Sequence, residues 1–96
     1  MSNISEYDER QLKLMLEQLI FFENKKLELS SLVGRLEDLL HVMEHVTEEW
    51  EEKFLNEFSI LESINAEMPK MKKSEIENLI KEAVSNLKKL IETALT

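Results

Sequence analysis

The sequence predicts an all-α protein folded as an antiparallel up-down four-helix bundle. Gly34 and Pro69 are the only glycine and proline among 96 residues, whereas sheet-rich folds need many turns built from these residue types. Good helix formers dominate the composition, and apolar residues recur at helical spacing in four segments. Because the connections between these segments are short, neighbouring helices are expected to run antiparallel.

The predicted helices cover residues 5–24, 31–46, 48–68 and 75–95, and they form a single domain over residues 1–96. The first helix begins at Ser5, whose hydroxyl can cap the free amides of the first turn. Thr47 precedes two glutamates in the pattern of an N-cap and separates the second helix from the third; one continuous helix is the alternative. Pro69 ends the third helix. Ser74-x-x-Glu77 has the pattern of a capping box at the start of the fourth.

Each helix carries an apolar stripe that is expected to face a shared core. The predicted core residues are Leu12, Met15, Leu16, Leu19 and Ile20 in the first helix and Leu32, Leu36, Leu39, Leu40, Met43 and Val46 in the second. They are Trp50, Phe54, Phe58, Leu61 and Ile64 in the third, and Ile76, Leu79, Ile80, Ala83, Leu87, Leu90, Ile91 and Ala94 in the fourth.

Composition excludes several classes of protein. The chain has no cysteine, so disulfides and thiolate metal sites are excluded. The first ten residues lack the basic start and apolar run of a signal peptide, and no segment has the apolar length of a membrane span. The net charge of −8 argues against direct contact with nucleic acid. We therefore expect a cytoplasmic protein without a cofactor that binds neither membranes nor nucleic acid.

Acidic residues are concentrated in the middle of the chain. Residues 37–67 hold ten acidic residues and one basic residue, Lys53, which gives a net charge of −9. Like charges repel and cost stability, so their clustering on two adjacent helices indicates a surface for a basic partner. An ordinary solvated face is the alternative. At about 100° per residue, the outer face of the second helix holds Glu37, Asp38, His41, Glu44 and His45, and that of the third holds Glu48, Glu51, Glu52 and Glu62.

The segment His41-Val42-Met43-Glu44-His45 matches the inverted zinc-protease motif, in which two histidines one helical turn apart chelate zinc. Catalytic zinc also needs a third protein ligand in a shaped pocket, and the sequence offers no clear candidate. Such short motifs recur by chance in Glu-rich helices. We therefore expect no metal site and no enzymatic activity, and adventitious metal binding by the histidines is the alternative.

Tyr7, Leu14 and Phe21 follow each other at seven-residue intervals on a second side of the first helix. A helix that is apolar on two sides is buried on two sides, and this interval is typical of the seam between paired helices. The preferred interpretation is a homodimer interface. Coverage by the Lys25–Leu29 link or by the chain ends is one alternative, and a different partner protein is another.

Glu57 lies at the edge of the aromatic stripe of the third helix. Either its carboxylate reaches solvent past the edge of the bundle, or it pairs with a basic residue of another helix. Arg35 is the first candidate for that pair.

Three segments carry a resemblance to a known family. They are LVGRLEDLL at residues 32–40, VTEEWEEKF at residues 46–54 and Leu61-Glu62. This pattern of small and acidic residues, which spans about residues 30–67, resembles the small all-helical immunity proteins of contact-dependent inhibition and related polymorphic-toxin systems of bacteria. The resemblance implies a cytoplasmic protein that binds one toxin domain, often a nuclease, and blocks its active site or an essential surface.

The resemblance and the charge pattern lead to one functional hypothesis. The chain is expected to be an immunity protein that neutralises a cationic toxin. The resemblance implies that the contact residues are Glu37, Asp38, Glu44, Glu48, Glu51 and Glu52. A non-catalytic helical oligomerisation module, adaptor or chaperone-like binding module is the alternative.

Overall fold

The computed structural model describes residues 4–67 and 70–96. Within these residues there are four α-helices and no β-strand, so the prediction of an all-α protein is confirmed. The helices are α1 (Glu6–Glu23), α2 (Leu29–His41), α3 (Glu48–Glu67) and α4 (Lys73–Leu95). The predicted end of the third helix, at Met68 and Pro69, lies outside the described residues.

The four helices pack in a closed ring. α1 packs beside α2 and α4, and α3 packs beside the same two helices, whereas the described backbones of α1 and α3, and those of α2 and α4, do not approach each other closely. All four helices contribute to one cluster of buried apolar side chains. The result is a bundle-like arrangement with overall dimensions of 42 × 26 × 20 Å.

The core follows the predicted stripes with a few exceptions. Its best-buried apolar residues are Leu12, Met15, Leu19, Leu32, Leu36, Phe54, Phe58, Leu61, Ala83, Val84, Leu87 and Ile91. The ring of Phe54 stacks between those of Trp50 and Phe58, with centroid distances of 5.3 and 6.0 Å. The prediction for Ile20 is wrong, because its side chain is 39% exposed. Val33 and Val84 are buried although neither was predicted to be, because each lies at the edge of its stripe.

Both ends of α1 are closed by local hydrogen bonds. The predicted cap at Ser5 is present, since its Oγ accepts the Asp8 amide proton at 3.1 Å. At the other end Lys25 takes a left-handed conformation with φ of 61°. The Lys25 amide donates to the Phe22 carbonyl at 3.0 Å and the Lys26 amide to the Phe21 carbonyl at 2.9 Å. These two bonds form a Schellman motif in which a lysine holds the position usually occupied by glycine.

The prediction of a second helix over residues 31–46 is wrong at both ends. α2 begins at Leu29, after Glu28, whose side chain makes no capping hydrogen bond, and it ends at His41. After His41 the chain makes a tight turn, in which the Met43 amide donates to the Leu40 carbonyl at 3.2 Å. Residues 42–47 therefore form a connecting loop instead of another helical turn.

The two predicted caps of the later helices have opposite outcomes. Thr47 does cap α3, because its Oγ1 accepts the Trp50 amide proton at 3.1 Å, and the alternative of one continuous helix is therefore wrong. The capping box at Ser74 is not formed. The Lys72 carbonyl already accepts the Ile76 amide at 3.1 Å, so α4 begins before Ser74 and its hydroxyl is not in a cap position.

Candidate functional site

The six acidic residues predicted to contact a partner all lie at the surface. They occupy the second half of α2, the loop of residues 42–47 and the first two turns of α3, and each is exposed. Exposure is the condition for contact with a partner. Acidic residues in the first turn of α3 also stabilise the positive end of the helix dipole, which gives part of the cluster a local role.

The contacts of α2 show which sides its two acidic residues occupy. The Arg35 guanidinium donates to Gln18 Oε1 of α1 at 2.7 Å, so this side of α2 faces α1. Since a helix turns by about 100° per residue, Glu37 lies on nearly the opposite side, which is the side toward α3. Asp38 lies closer to the α1 side. Glu37 therefore lies on the side of α2 nearer to α3, and Asp38 lies on the side nearer to α1.

The contacts of α3 orient its acidic residues in the same way. The Trp50 indole donates to the Leu90 carbonyl at 3.2 Å, so this side of α3 faces α4. Glu48 and Glu52 lie two residues before and after Trp50, and at about 100° per residue both point away from α4. They therefore face outward on the side of α3 that adjoins α2.

The exposed acidic residues of α2, of the loop after it and of α3 are together called the acidic surface. Leu55 of α3 is an apolar residue within this surface. Its side chain is 43% exposed and lies one helical turn from Glu51 and Glu52 and two turns from Glu48 and Glu62. The sequence patterns did not single it out, although its position outside the core stripe was a readable signal. An apolar side chain ringed by carboxylates has the layout of an interface anchor with a charged rim.

Asp8 holds the α2–α3 loop in place from the first turn of α1. Its side chain is fully buried, and its Oδ1 and Oδ2 accept the amide protons of Glu44 and His45 at 2.9 and 2.8 Å. The His45 Nδ1 lies 3.6 Å from Oδ2. Hydrogen bonds to a carboxylate are stronger than neutral ones, so this carboxylate fixes the loop that carries Glu44.

This arrangement removes the geometry on which the H-x-x-E-H motif depends. His41 is the last residue of α2, and His45 lies in the loop whose amides bind Asp8. The two histidines therefore do not stack one turn apart on a helix. Across residues 4–67 and 70–96, no group of three or more histidine, cysteine or acidic side chains is placed to hold a metal ion.

The predicted pair between Glu57 and Arg35 is not formed. Glu57 Oε1 instead accepts a hydrogen bond from the Asn86 side-chain amide of α4 at 3.0 Å, while Arg35 is bonded to Gln18. The reason is topological, because Arg35 points to α1 and Glu57 points to α4. Gln18 is a buried polar residue, with 8% of its surface exposed. The sequence patterns did not predict its burial.

A surface cleft of about 810 Å³ lies between the α1–α2 link and α4. Phe22, Leu27, Ile80 and Val84 form its apolar lining. Its rim carries three acidic residues and three lysines, so it favours no ligand charge. The rim residues are Glu23, Lys25, Lys26, Glu28, Glu77 and Lys81.

None of the helices in the described residues combines the length and apolar character needed to cross a bilayer. Comparison with known proteins adds no relative, since no family model, curated protein or solved structure matches the chain.

Proposed function

We propose that this chain is a cytoplasmic immunity protein that neutralises a cationic bacterial toxin by binding it, without catalysis. The observation that carries the proposal is the exposed acidic surface of α2 and α3, with the 43% exposed Leu55 inside it. A nuclease domain is the expected partner, because its active cleft is basic and an acidic protein can occupy the place of the phosphate backbone. The resemblance of residues 30–67 to immunity proteins supports the same partner.

The charge distribution supports a protein partner in a second way. Lys53, the only basic residue of the segment 37–67, lies 3.1 Å from Glu49, so it is paired within its own helix. The other carboxylates of the surface have no ion pair among the described residues. A field of one sign speeds association with an oppositely charged protein and makes that association sensitive to salt.

We also propose that the helices alternate in direction, so that the bundle is antiparallel. Two contacts support this topology. Asp8, in the first turn of α1, binds the loop that follows α2, and Trp50, in the first turn of α3, binds Leu90 in the last part of α4. Both contacts join the start of one helix to the end of its neighbour.

The test is protection of bacterial cells from the toxin encoded by the gene beside that of this chain. We expect the unchanged chain to restore growth and the Glu48→Lys/Glu52→Lys variant to fail. Affinity for the purified toxin domain should fall by at least about 100-fold, the loss expected when two close charge pairs become repulsive. Binding by the unchanged chain should also weaken as salt is added.

The matched control is the Glu75→Lys/Glu82→Lys variant. It changes the net charge equally, and Glu75 lies in the first turn of α4 as Glu48 does in α3, so the helix-dipole cost is similar. This variant should protect cells. Protection by both variants, with helicity unchanged, would show that the acidic surface is not the binding site.

A second candidate function is a chaperone-like or adaptor module that binds through α1. It is favoured by the 42% exposure of Leu14 and the 36% exposure of Phe21. The Leu14→Glu variant separates the two candidates. It should abolish binding by an adaptor that uses α1, and it should leave toxin neutralisation through α2 and α3 intact.

A further inference from the structure

The outer side of α1 carries an apolar ridge formed by Tyr7, Leu14 and Phe21. α1 is held in the core through a different side, on which Leu12 and Met15 are fully buried. On the ridge Tyr7 is half-buried, while Leu14 and Phe21 are 42% and 36% exposed. More than a third of the Leu14 and Phe21 side chains is therefore left exposed by the described residues, and a second molecule packed on the ridge would bury this surface.

The ridge is symmetric about Leu14. Tyr7 lies seven residues before it and Phe21 seven residues after it. If two copies of α1 cross antiparallel with Leu14 on the twofold axis, Tyr7 of each copy meets Phe21 of the other. An isologous contact of this kind is self-complementary and closed, which is the commonest symmetry of homo-oligomers. Each aromatic pair buries large apolar rings at little cost in side-chain entropy.

Charged residues beside the ridge distinguish between an antiparallel and a parallel crossing of the two α1 helices. Arg10 and Glu17 lie next to it, four residues before and three residues after Leu14, and neither has an ion pair among the described residues. In the antiparallel crossing Arg10 of each copy faces Glu17 of the other, which makes two attractive pairs. In a parallel crossing Arg10 would face Arg10 and Glu17 would face Glu17, and both contacts are repulsive.

We propose that the chain forms a homodimer through an antiparallel twofold contact between two α1 helices, with Leu14 at the axis. The contact pairs Tyr7 with Phe21 and Arg10 with Glu17 across the axis. The 18 residues of α1 give it a length of about 27 Å, and because a specific interface buries about 1,000 Å² or more, the contact would use the whole length of the helix. We therefore expect the dimer to be weak and its population to depend on concentration. This inference is independent of the toxin, because the acidic surface lies on α2 and α3.

Sedimentation equilibrium tests the existence of the dimer between about 1 µM and about 500 µM, a range that covers weak and moderately tight homodimers. The unchanged chain should pass from monomer to dimer. The Leu14→Glu variant should stay monomeric, because two carboxylates would meet at the axis. Ile20→Glu is the matched control, since Ile20 is 39% exposed on another side of the same helix, and it should still dimerise. A monomeric unchanged chain at the highest concentration overturns the proposal, as does equal loss of dimer in both variants.

Disulfide trapping tests the direction, because the chain has no cysteine of its own. The Leu14→Cys variant should cross-link to itself under mild oxidation. The Tyr7→Cys and Phe21→Cys variants should each cross-link poorly alone and efficiently when mixed. Efficient self-cross-linking of Tyr7→Cys would show a parallel contact and overturn the antiparallel one.

Charge reversal tests the proposed pair of Arg10 and Glu17. Arg10→Glu and Glu17→Arg should each raise the dissociation constant of the dimer about tenfold, and the double variant should restore it.

Discussion

At the scale of single residues, Asp8 has a structural role that its sequence context did not reveal. In the sequence it is an acidic residue in the first turn of a helix. In the fold it is a buried carboxylate that satisfies the amides of Glu44 and His45. Its position on the α1 stripe, four residues before Leu12 and seven before Met15, was a sign that it faces inward. Its partners are 36 and 37 residues away in the chain, which no local pattern can specify.

Replacement of Asp8 should destabilise the protein in proportion to the acceptors that are lost. We expect Asp8→Asn to lower the free energy of unfolding by about 1–2 kcal/mol, because one loop amide would face an amide donor instead of an oxygen. Asp8→Ala should lower it by about 2–4 kcal/mol, because both amides lose their charged acceptor. Urea unfolding followed by circular dichroism measures both changes. Glu6→Ala, an exposed change in the same turn, should have little effect, and equal stability of Asp8→Ala and Glu6→Ala would refute this role.

At the scale of helices, the sequence located the four elements but not all of their ends. A cap depends on the conformation of the residues around it, and two similar patterns had different outcomes. Thr47 precedes a helix that starts immediately after it, so its hydroxyl reaches the Trp50 amide. Ser74 has an equally suitable residue three positions later, yet α4 already begins at Lys73. The second helix likewise stops at His41, and Asp8 binds the amides of Glu44 and His45 in the loop that follows.

Replacing Thr47 and replacing Ser74 by alanine should therefore have different effects on stability. Thr47→Ala should lower the free energy of unfolding by about 1 kcal/mol, because the N-cap hydrogen bond to Trp50 is lost. Ser74→Ala should leave stability unchanged or raise it by about 0.5 kcal/mol, since alanine is the better residue within a helix. Thermal and urea unfolding of the two variants measure the difference. A destabilisation by Ser74→Ala as large as that by Thr47→Ala would show that Ser74 caps α4 in solution.

At the scale of the whole molecule, the acidic surface and the apolar ridge of Tyr7, Leu14 and Phe21 lie on different helices. The segment 37–67 carries a net charge of −9, and the chain as a whole carries −8, so this segment holds the entire imbalance and the rest of the chain is close to neutral. The exposed ridge of Tyr7, Leu14 and Phe21 belongs to α1. The two contacts that we propose, with a basic partner and with a second copy of the chain, would therefore use different surfaces.

The clustered charge should make stability depend on salt. Raising sodium chloride from about 0.01 M to about 0.15 M shortens the Debye length from about 30 Å to about 8 Å, so repulsion among the carboxylates should weaken. We expect the free energy of unfolding to rise by about 0.5–1 kcal/mol. The Glu48→Lys/Glu52→Lys variant should show a smaller rise than Glu75→Lys/Glu82→Lys, because only the first relieves the cluster. Equal salt dependence of the two variants would contradict a local origin of the repulsion.

The sequence by itself determined the all-α class, the four helices and most of the core, because turn residues are scarce and helical periodicity is a local property of the chain. It also located the break at Thr47 and the concentration of acidic residues. Only the tertiary structure decided where α2 ends, which residues Arg35 and Glu57 bind, and that His41 and His45 share no helical turn. Each of these outcomes depends on contacts between distant segments, such as that of Asp8 with residues 44–45. They are therefore decided by how the helices are arranged around the core.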